Sequence, residues 1–129
     1  MPDLSDTDLH LDFQFEGNLV LEGYINRIYA PLIVEEIKFR LPFEGRTALM
    51  RSEMQITLGI SKGYAKPTNE VKKGEIAYMP LGDALCIYLE DQRTYSQVNV
   101  LGKITSSEEQ IASLKQVRRG SLVHIKERD

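Results

Sequence analysis

Gly-Glu-Ile-Ala-Tyr-Met-Pro-Leu-Gly-Asp-Ala-Leu-Cys-Ile-Tyr-Leu, residues 74–89, is the stretch that decides the fold. Gly74 closes a polar segment. Residues 75–79 and 84–90 read as strands, and Pro80-Leu81-Gly82-Asp83 reads as the turn between them. Downstream, a loop is expected over 91–94 and a strand over 96–104, which contains Val98-Asn99-Val100-Leu101-Gly102-Lys103-Ile104. Ser106 or Ser107 then caps a helix running through Arg118, with Ile111, Leu114 and Val117 on its buried side. Gly120 ends that helix, and residues 122–126 form a last strand.

Upstream, Leu9, Leu11, Phe13 and Phe15 alternate with polar residues and predict a half-buried strand. Gly17-Asn18 turns the chain into a second strand over 19–25. Pro31 suits the first turn of a helix. Ile33, Val34, Ile37 and Leu41 recur at helical spacing until Pro42 stops the run, and Gly45 is expected in the exit turn. Residues 48–58 predict one or two strands with Met54, Ile56 and Leu58 inward and Glu53, Gln55 and Thr57 outward. Residues 59–73 predict a long loop around one short strand.

The 129 residues predict one domain over 9–129 behind a flexible tail at 1–8. Hydrophobic residues are 42% and charged residues 27%, as in ordinary globular chains. A formal charge of −3 excludes the basic surface that nucleic acid requires. Cys86 is the sole cysteine and has no internal disulfide partner. No apolar run is long enough to span a bilayer, and residues 1–8 lack the pattern of a secretory signal. A cytoplasmic location is expected, without nucleic-acid or membrane partners.

Many short alternating strands with two helices predict a closed barrel or a sandwich. Closure removes exposed edges. The interior of a small barrel is filled by side chains, which leaves the outer wall or a rim for binding.

The order of elements resembles the cyclophilin-like fold, an antiparallel barrel with one helix after the first hairpin and one before the last strand. It is more closely similar to a microbial cyclophilin-like family of uncharacterised function, through the Gly-Glu-Ile-x-Tyr-x-Pro-x-Gly-x-Ala-Leu-Cys-Ile look of residues 74–87 and the Val-Asn-Val-Leu-Gly-Lys-Ile look of 98–104. The resemblance is good over 74–127 and loose over 9–58. It implies a mainly β fold, a closed antiparallel cyclophilin-like β-barrel with two short α-helices. In place of the family's Phe-Gly-x-Thr-Pro-like continuation, this chain has Leu89-Glu90-Asp91-Gln92.

Cyclophilins use an Arg donor to weaken the prolyl amide's conjugation and an apolar pocket to hold the ring. Arg46 or Arg51 is the stand-in for that Arg, and Arg46 is the sole catalytic candidate. No Phe-His precedes either. Both Phe residues of the next cyclophilin element are replaced within Gly82-Asp83-Ala84-Leu85-Cys86-Ile87, the chain has no Trp, and the pocket His falls near Val98. The resemblance therefore implies a protein that binds a peptide or small polar ligand on the outer wall without efficient catalysis. The alternative is a divergent peptidyl-prolyl isomerase. Parity gathers Glu53, Gln55, Cys86, Tyr88, Gln97 and Asn99 on outward faces, and these, with Arg46 and Arg51 implied by the resemblance, are the ligand-binding candidates. Peptide or small-molecule partners, a monomer or weak homodimer, and no cofactor are expected.

Other chemistry is poorly supported. Cys86 lies between Leu85 and Ile87, away from either His, and reads as a packed residue rather than a nucleophile. His10 and His124 lack a clustered third ligand, so no metal is expected. The basic run Lys115, Arg118, Arg119, Lys126 and Arg128 reads as a solvated surface balanced by acidic neighbours. Gly59-Ile60-Ser61-Lys62-Gly63 lacks the spacing of a phosphate-binding loop.

Overall fold

The computed structural model describes residues 7–128. The tail expected at 1–8 lies largely outside those residues, and Asp8 already belongs to the first strand. β1 (Asp8–Phe15) and β2 (Leu19–Asn26) form a hairpin. Leu9, Leu11, Phe13 and Phe15 are all buried, as their alternation requires. Gly17 and Asn18 carry the turn at positive φ, 88° and 67°. α1 (Pro31–Arg40) starts on Pro31 and buries Ile33, Val34 and Ile37. β3 (Phe43–Met50) and β4 (Glu53–Thr57) form a second hairpin. There follow β5 (Thr68–Val71), β6 (Glu75–Met79), β7 (Ala84–Tyr88), β8 (Gln92–Ile104), α2 (Glu108–Ala112) and β9 (Leu122–Glu127).

The strand order is β2-β1-β9-β3-β4-β7-β6-β8, and β8 pairs back onto β2. Eight antiparallel strands thus form a ring. β5 stands outside it, paired with the first half of β8. The ring encloses a core that includes Leu11, Phe13, Met54, Ile56, Leu85 and Ile87. Ile33, Val34 and Ile37 of α1 join that core, as do Ile111 and Leu114 near the second helix. A second cluster, Val71, Ala77, Ala84, Cys86, Tyr88 and Val98, lies on the outer face. β7 is therefore buried on both sides, which explains its unbroken apolar run.

Two sequence expectations change. Gly45 belongs to β3, opposite Val123, rather than to a turn. A Cβ there would stand 2.6 Å from the Thr57 carbonyl oxygen, so the position needs a residue without a side chain. Gln92–Thr94 open β8 instead of forming a loop, because β5 pairs with them through Val71↔Gln92 and Glu70↔Arg93. The second helix is also shorter than its pattern: α2 gives way to a 3₁₀ turn over Ser113–Gln116.

Ser107 caps α2. Its hydroxyl accepts from the Gln110 backbone N–H at 3.2 Å, and Gln110 Oε1 accepts from the Ser107 N–H at 3.1 Å. Ser107→Ala should cost about 1 kcal/mol in denaturant unfolding, with Ile111 and Leu114 still seated in the core. No helix among the described residues is long and apolar enough to cross a membrane.

Candidate functional site

A groove of about 460 Å³ opens on the outer face of the ring. Its walls come from three places: the β3–β4 hairpin, the β6–β7 turn and the first half of β8. Arg51 stands at the hairpin tip with φ 61°. Glu53 and Gln55, two apart on β4, share one face, and Gln55 Nε2 donates to Glu53 Oε2 at 2.6 Å. Met79 and Leu81 supply the turn side. Met50, Leu81 and Tyr95 edge the groove with large apolar surface, 51%, 75% and 101% exposed.

The wall from β8 is tied down. Gln92 Nε2 donates to the Ser52 carbonyl at 3.0 Å, and the Leu89 N–H donates to the same carbonyl at 2.9 Å. Thr94 is buried and donates to Ser96 O at 2.7 Å, while Asn69 Nδ2 donates to Thr94 O at 3.1 Å. Arg93 pairs with Glu70 at 3.5 Å on the outer surface.

The turn is fixed by Asp83. Its carboxylate accepts from the N–H groups of Ile60 and Ser61 at 3.0 and 3.1 Å and from the Tyr78 hydroxyl at 2.7 Å. Burial pushes the Asp83 carboxyl up, and the bonds from Tyr78, Ser61 and Ile60 more than offset it, leaving it below the ordinary carboxylate value.

Of the candidates read from the sequence, the structure brings together Arg51, Glu53 and Gln55. Cys86 and Tyr88 keep the outward parity expected of them but are completely buried, because the β5–β8 ribbon and its neighbours cover that face. Burial, with the nearby Glu53 charge, pushes the Cys86 thiol far up, so it stays protonated. Arg46 lies apart, on the stretch of β3 that pairs with β9, where its Nη1 donates to the Gly120 carbonyl at 2.8 Å.

Gln97 is exposed and does not line the groove. Asn99 pairs with Tyr78, a member of the interior core, so it sits on the face opposite Cys86 and Tyr88. There its Oδ1 accepts from the N–H groups of Ala65 and Lys66 at 2.8 and 3.0 Å, pinning the long loop. Groove residues Met50, Met79, Leu81 and Gln92–Ser96 were not among the sequence candidates. Leu81 in the predicted turn and Tyr95 just after the predicted loop were the available signal.

A second concavity, about 540 Å³, lies beside Tyr24, Tyr29, Lys72, Lys73 and Lys103. Its carboxylates hold backbone: Glu75 accepts from the Lys72 N–H and Asp91 from the Lys73 N–H. Among the described residues no group of three or more His, Cys, Asp or Glu is arranged to hold a metal ion. Two cations of the basic C-terminal run are paired, Arg118 with Glu16 and Arg128 with Glu22.

A family model described as Cyclophilin-like matches residues 8–126. No curated protein matches the sequence. Among solved structures, the chain is similar to the solution structure of the hypothetical protein AF2241 from Archaeoglobus fulgidus. The TM-score is 0.77 at 24% identity, over 95% of this chain and 96% of that one. It is also similar to McbB in complex with tryptophan, with a TM-score of 0.71 at 11% identity over 90% of this chain. That match takes in 44% of McbB, so this chain spans less than half of McbB's length.

Proposed function

The chain belongs to the cyclophilin-like family, and on that footing we propose that it is a binding protein whose outer-wall groove takes a short peptide without efficient catalysis. We read the eight-strand ring as a closed barrel with a filled interior, so a ligand sits outside it. The observation that carries this reading is the groove's composition. Apolar Met50, Met79, Leu81 and Tyr95 surround polar Arg51, Glu53 and Gln55, the mixture by which a site grips an apolar body and fixes its orientation. Arg51 anchors a carbonyl or carboxylate, and Gln55 offers its side-chain carbonyl to a peptide N–H.

Catalysis of prolyl isomerisation requires a donor held rigidly over the prolyl nitrogen, since the barrier is about 18–20 kcal/mol. Arg51 is exposed on a hairpin tip, a poor place for such rigidity.

Amide NMR titration with a short Ala-Pro peptide, with exchange spectroscopy on the peptide in the same tube, tests both points. Shifts at Met50–Gln55, Met79–Gly82 and Gln92–Ser96 without faster peptide exchange are expected. Faster exchange would make the protein a divergent isomerase, and no shifts at these residues would remove the reading. Arg51→Ala should weaken peptide binding roughly tenfold, as expected for loss of a charged hydrogen bond, with little change in Tm. Arg46→Ala should leave affinity unchanged.

A further inference from the structure

The Tyr88 hydroxyl is buried and has no hydrogen-bond partner among the described residues. Native proteins rarely leave such a group unpaired, because it forfeits its bonds to water and gains nothing. The β4–β7 register places Tyr88 directly across from Glu53, and Gln55 across from Cys86. The hydroxyl lies beside the Glu53 carboxylate and the Cys86 thiol and interacts electrostatically with both, but it meets hydrogen-bond geometry with neither. Glu53 is held by Gln55 instead. The groove lining therefore holds one carboxylate, Glu53, bonded to the Gln55 amide, and the Tyr88 hydroxyl lies buried behind it as a second donor that meets hydrogen-bond geometry with nothing among the described residues.

We propose that the groove is specific for small zwitterionic peptides with a free N-terminal amine, read by Glu53 with Tyr88 behind it. The proposal rests on the groove reading above. The ligand's ammonium group has three donors and no acceptor. Docked on Glu53, it draws the carboxylate off Gln55. Glu53 then accepts from Tyr88, and Gln55 turns its carbonyl to the ammonium. The Tyr88 hydroxyl becomes a charge-assisted donor that holds the carboxylate in place.

The opposite charge comes from the rim. Arg51 and Arg93 both line the groove. Arg51, with Arg93 already paired to Glu70, repels a bare cation and attracts a carboxylate, so a ligand with both termini charged satisfies the whole set. The apolar walls at Met50, Met79 and Leu81 take its side chains. A groove of about 460 Å³ suits a ligand of that size.

The test compares Ala-Pro with both termini free, N-acetyl-Ala-Pro and Ala-Pro amide by amide NMR titration. Each is run on the wild-type protein and on Tyr88→Phe. Acetylation should weaken wild-type binding at least tenfold, and amidation should weaken it by a smaller factor. Tyr88→Phe should weaken the free dipeptide several-fold, leave the acetylated one unchanged, and leave Tm unchanged or raised, since the lost hydroxyl has no partner in the free protein.

Equal wild-type affinity for free and acetylated forms would overturn the amine specificity while leaving the groove reading standing. Failure of all three peptides to shift the groove residues would remove both. A lowered Tm in Tyr88→Phe with unchanged affinity would make the hydroxyl structural and overturn its role. Glu53→Gln, which keeps the side-chain shape, should abolish the preference for the free amine, and a preserved preference would count against the proposal.

Discussion

Gly102→Ala is expected to lose about 4 kcal/mol of stability or more, a class of loss reserved for specific structural causes, and Gly102→Val is expected not to fold. A Cβ on Gly102 would stand 1.9 Å from the Tyr24 carbonyl oxygen and 2.8 Å from Ile25 Cα. Both are backbone atoms, so no rotamer change relieves the clash. They belong to β2, and the pairs Gly23↔Ile104, Tyr24↔Lys103 and Ile25↔Gly102 are the ones that return the ring to its start. Separating them opens the ring between β2 and β8. For a domain of this size the alanine variant should melt more than 10 °C lower, read by circular dichroism. Gly63→Ala is the control. A Cβ there meets nothing within 4 Å, and its Tm should stay within a degree or two. Equal melting of the two variants would show that β2 and β8 have freedom to move apart.

Asp83→Ala is the second large effect. The change takes the shortest partner from the Tyr78 hydroxyl, leaving it the Lys62 backbone at 3.1 and 3.4 Å, and leaves the Ile60 and Ser61 N–H groups without their acceptor. At about 1–3 kcal/mol for each buried group left unsatisfied, the loss should reach roughly 2–4 kcal/mol. Asp83→Asn should lose less, because Asn tolerates the φ of 50° found here and keeps one acceptor oxygen.

The pH dependence has a defined sign at each end. The Asp83 carboxyl is lowered in the folded protein. Its contribution is therefore complete above the unfolded carboxylate value, about 3.9, and is lost as pH falls through the lower folded value. Tyr78 is raised from 10.0 to about 12, by burial first and then by its bond to Asp83. Its contribution is complete below pH 10.0, declines above it, and is gone beyond about 12. Denaturant midpoints measured against pH should show both limbs in the wild type and a weaker acid limb in Asp83→Ala. An unchanged acid limb would mean that other carboxylates dominate acid unfolding.

The sequence was most informative where one physical rule acted alone. The alternation of Leu9 to Phe15 could face a core in only one way, and the spacing of Ile33, Val34 and Ile37 left one buried helix stripe. Parity also put Cys86 and Tyr88 on the outer face correctly. It carried no information about what lies over that face, because the covering ribbon pairs residues 68–71 with residues 92–98, far apart in the sequence and apolar only at Val71 and Val98 on the covering side. The same pairing put Gln92–Thr94 of an expected loop at 91–94 into strand.

Gly45 looked like a turn residue because glycine serves both turns and close approaches, and only the neighbouring Thr57 carbonyl distinguishes them. A β-bulge lies between Ile76 and Ala77, where β6 pairs with β8. Asn99 pairs with Tyr78 there and faces inward, whereas plain alternation from the sequence put it outside. Arg46 is drawn to the Gly120 carbonyl, 74 residues away and invisible to any local pattern, while Arg51 lines the groove.

The position of β9 bears on how this chain can be made. β9 lies between β1 and β3, its register matching residues 11–15 on one side and 43–46 on the other. During synthesis, β1 and β3 emerge long before the strand that joins them. Until residues 122–127 have left the ribosome, both present unpaired edges that invite pairing with other chains. The nascent chain therefore cannot complete its ring piecemeal, and the exposure of β1 and β3 lasts until β9 has been made.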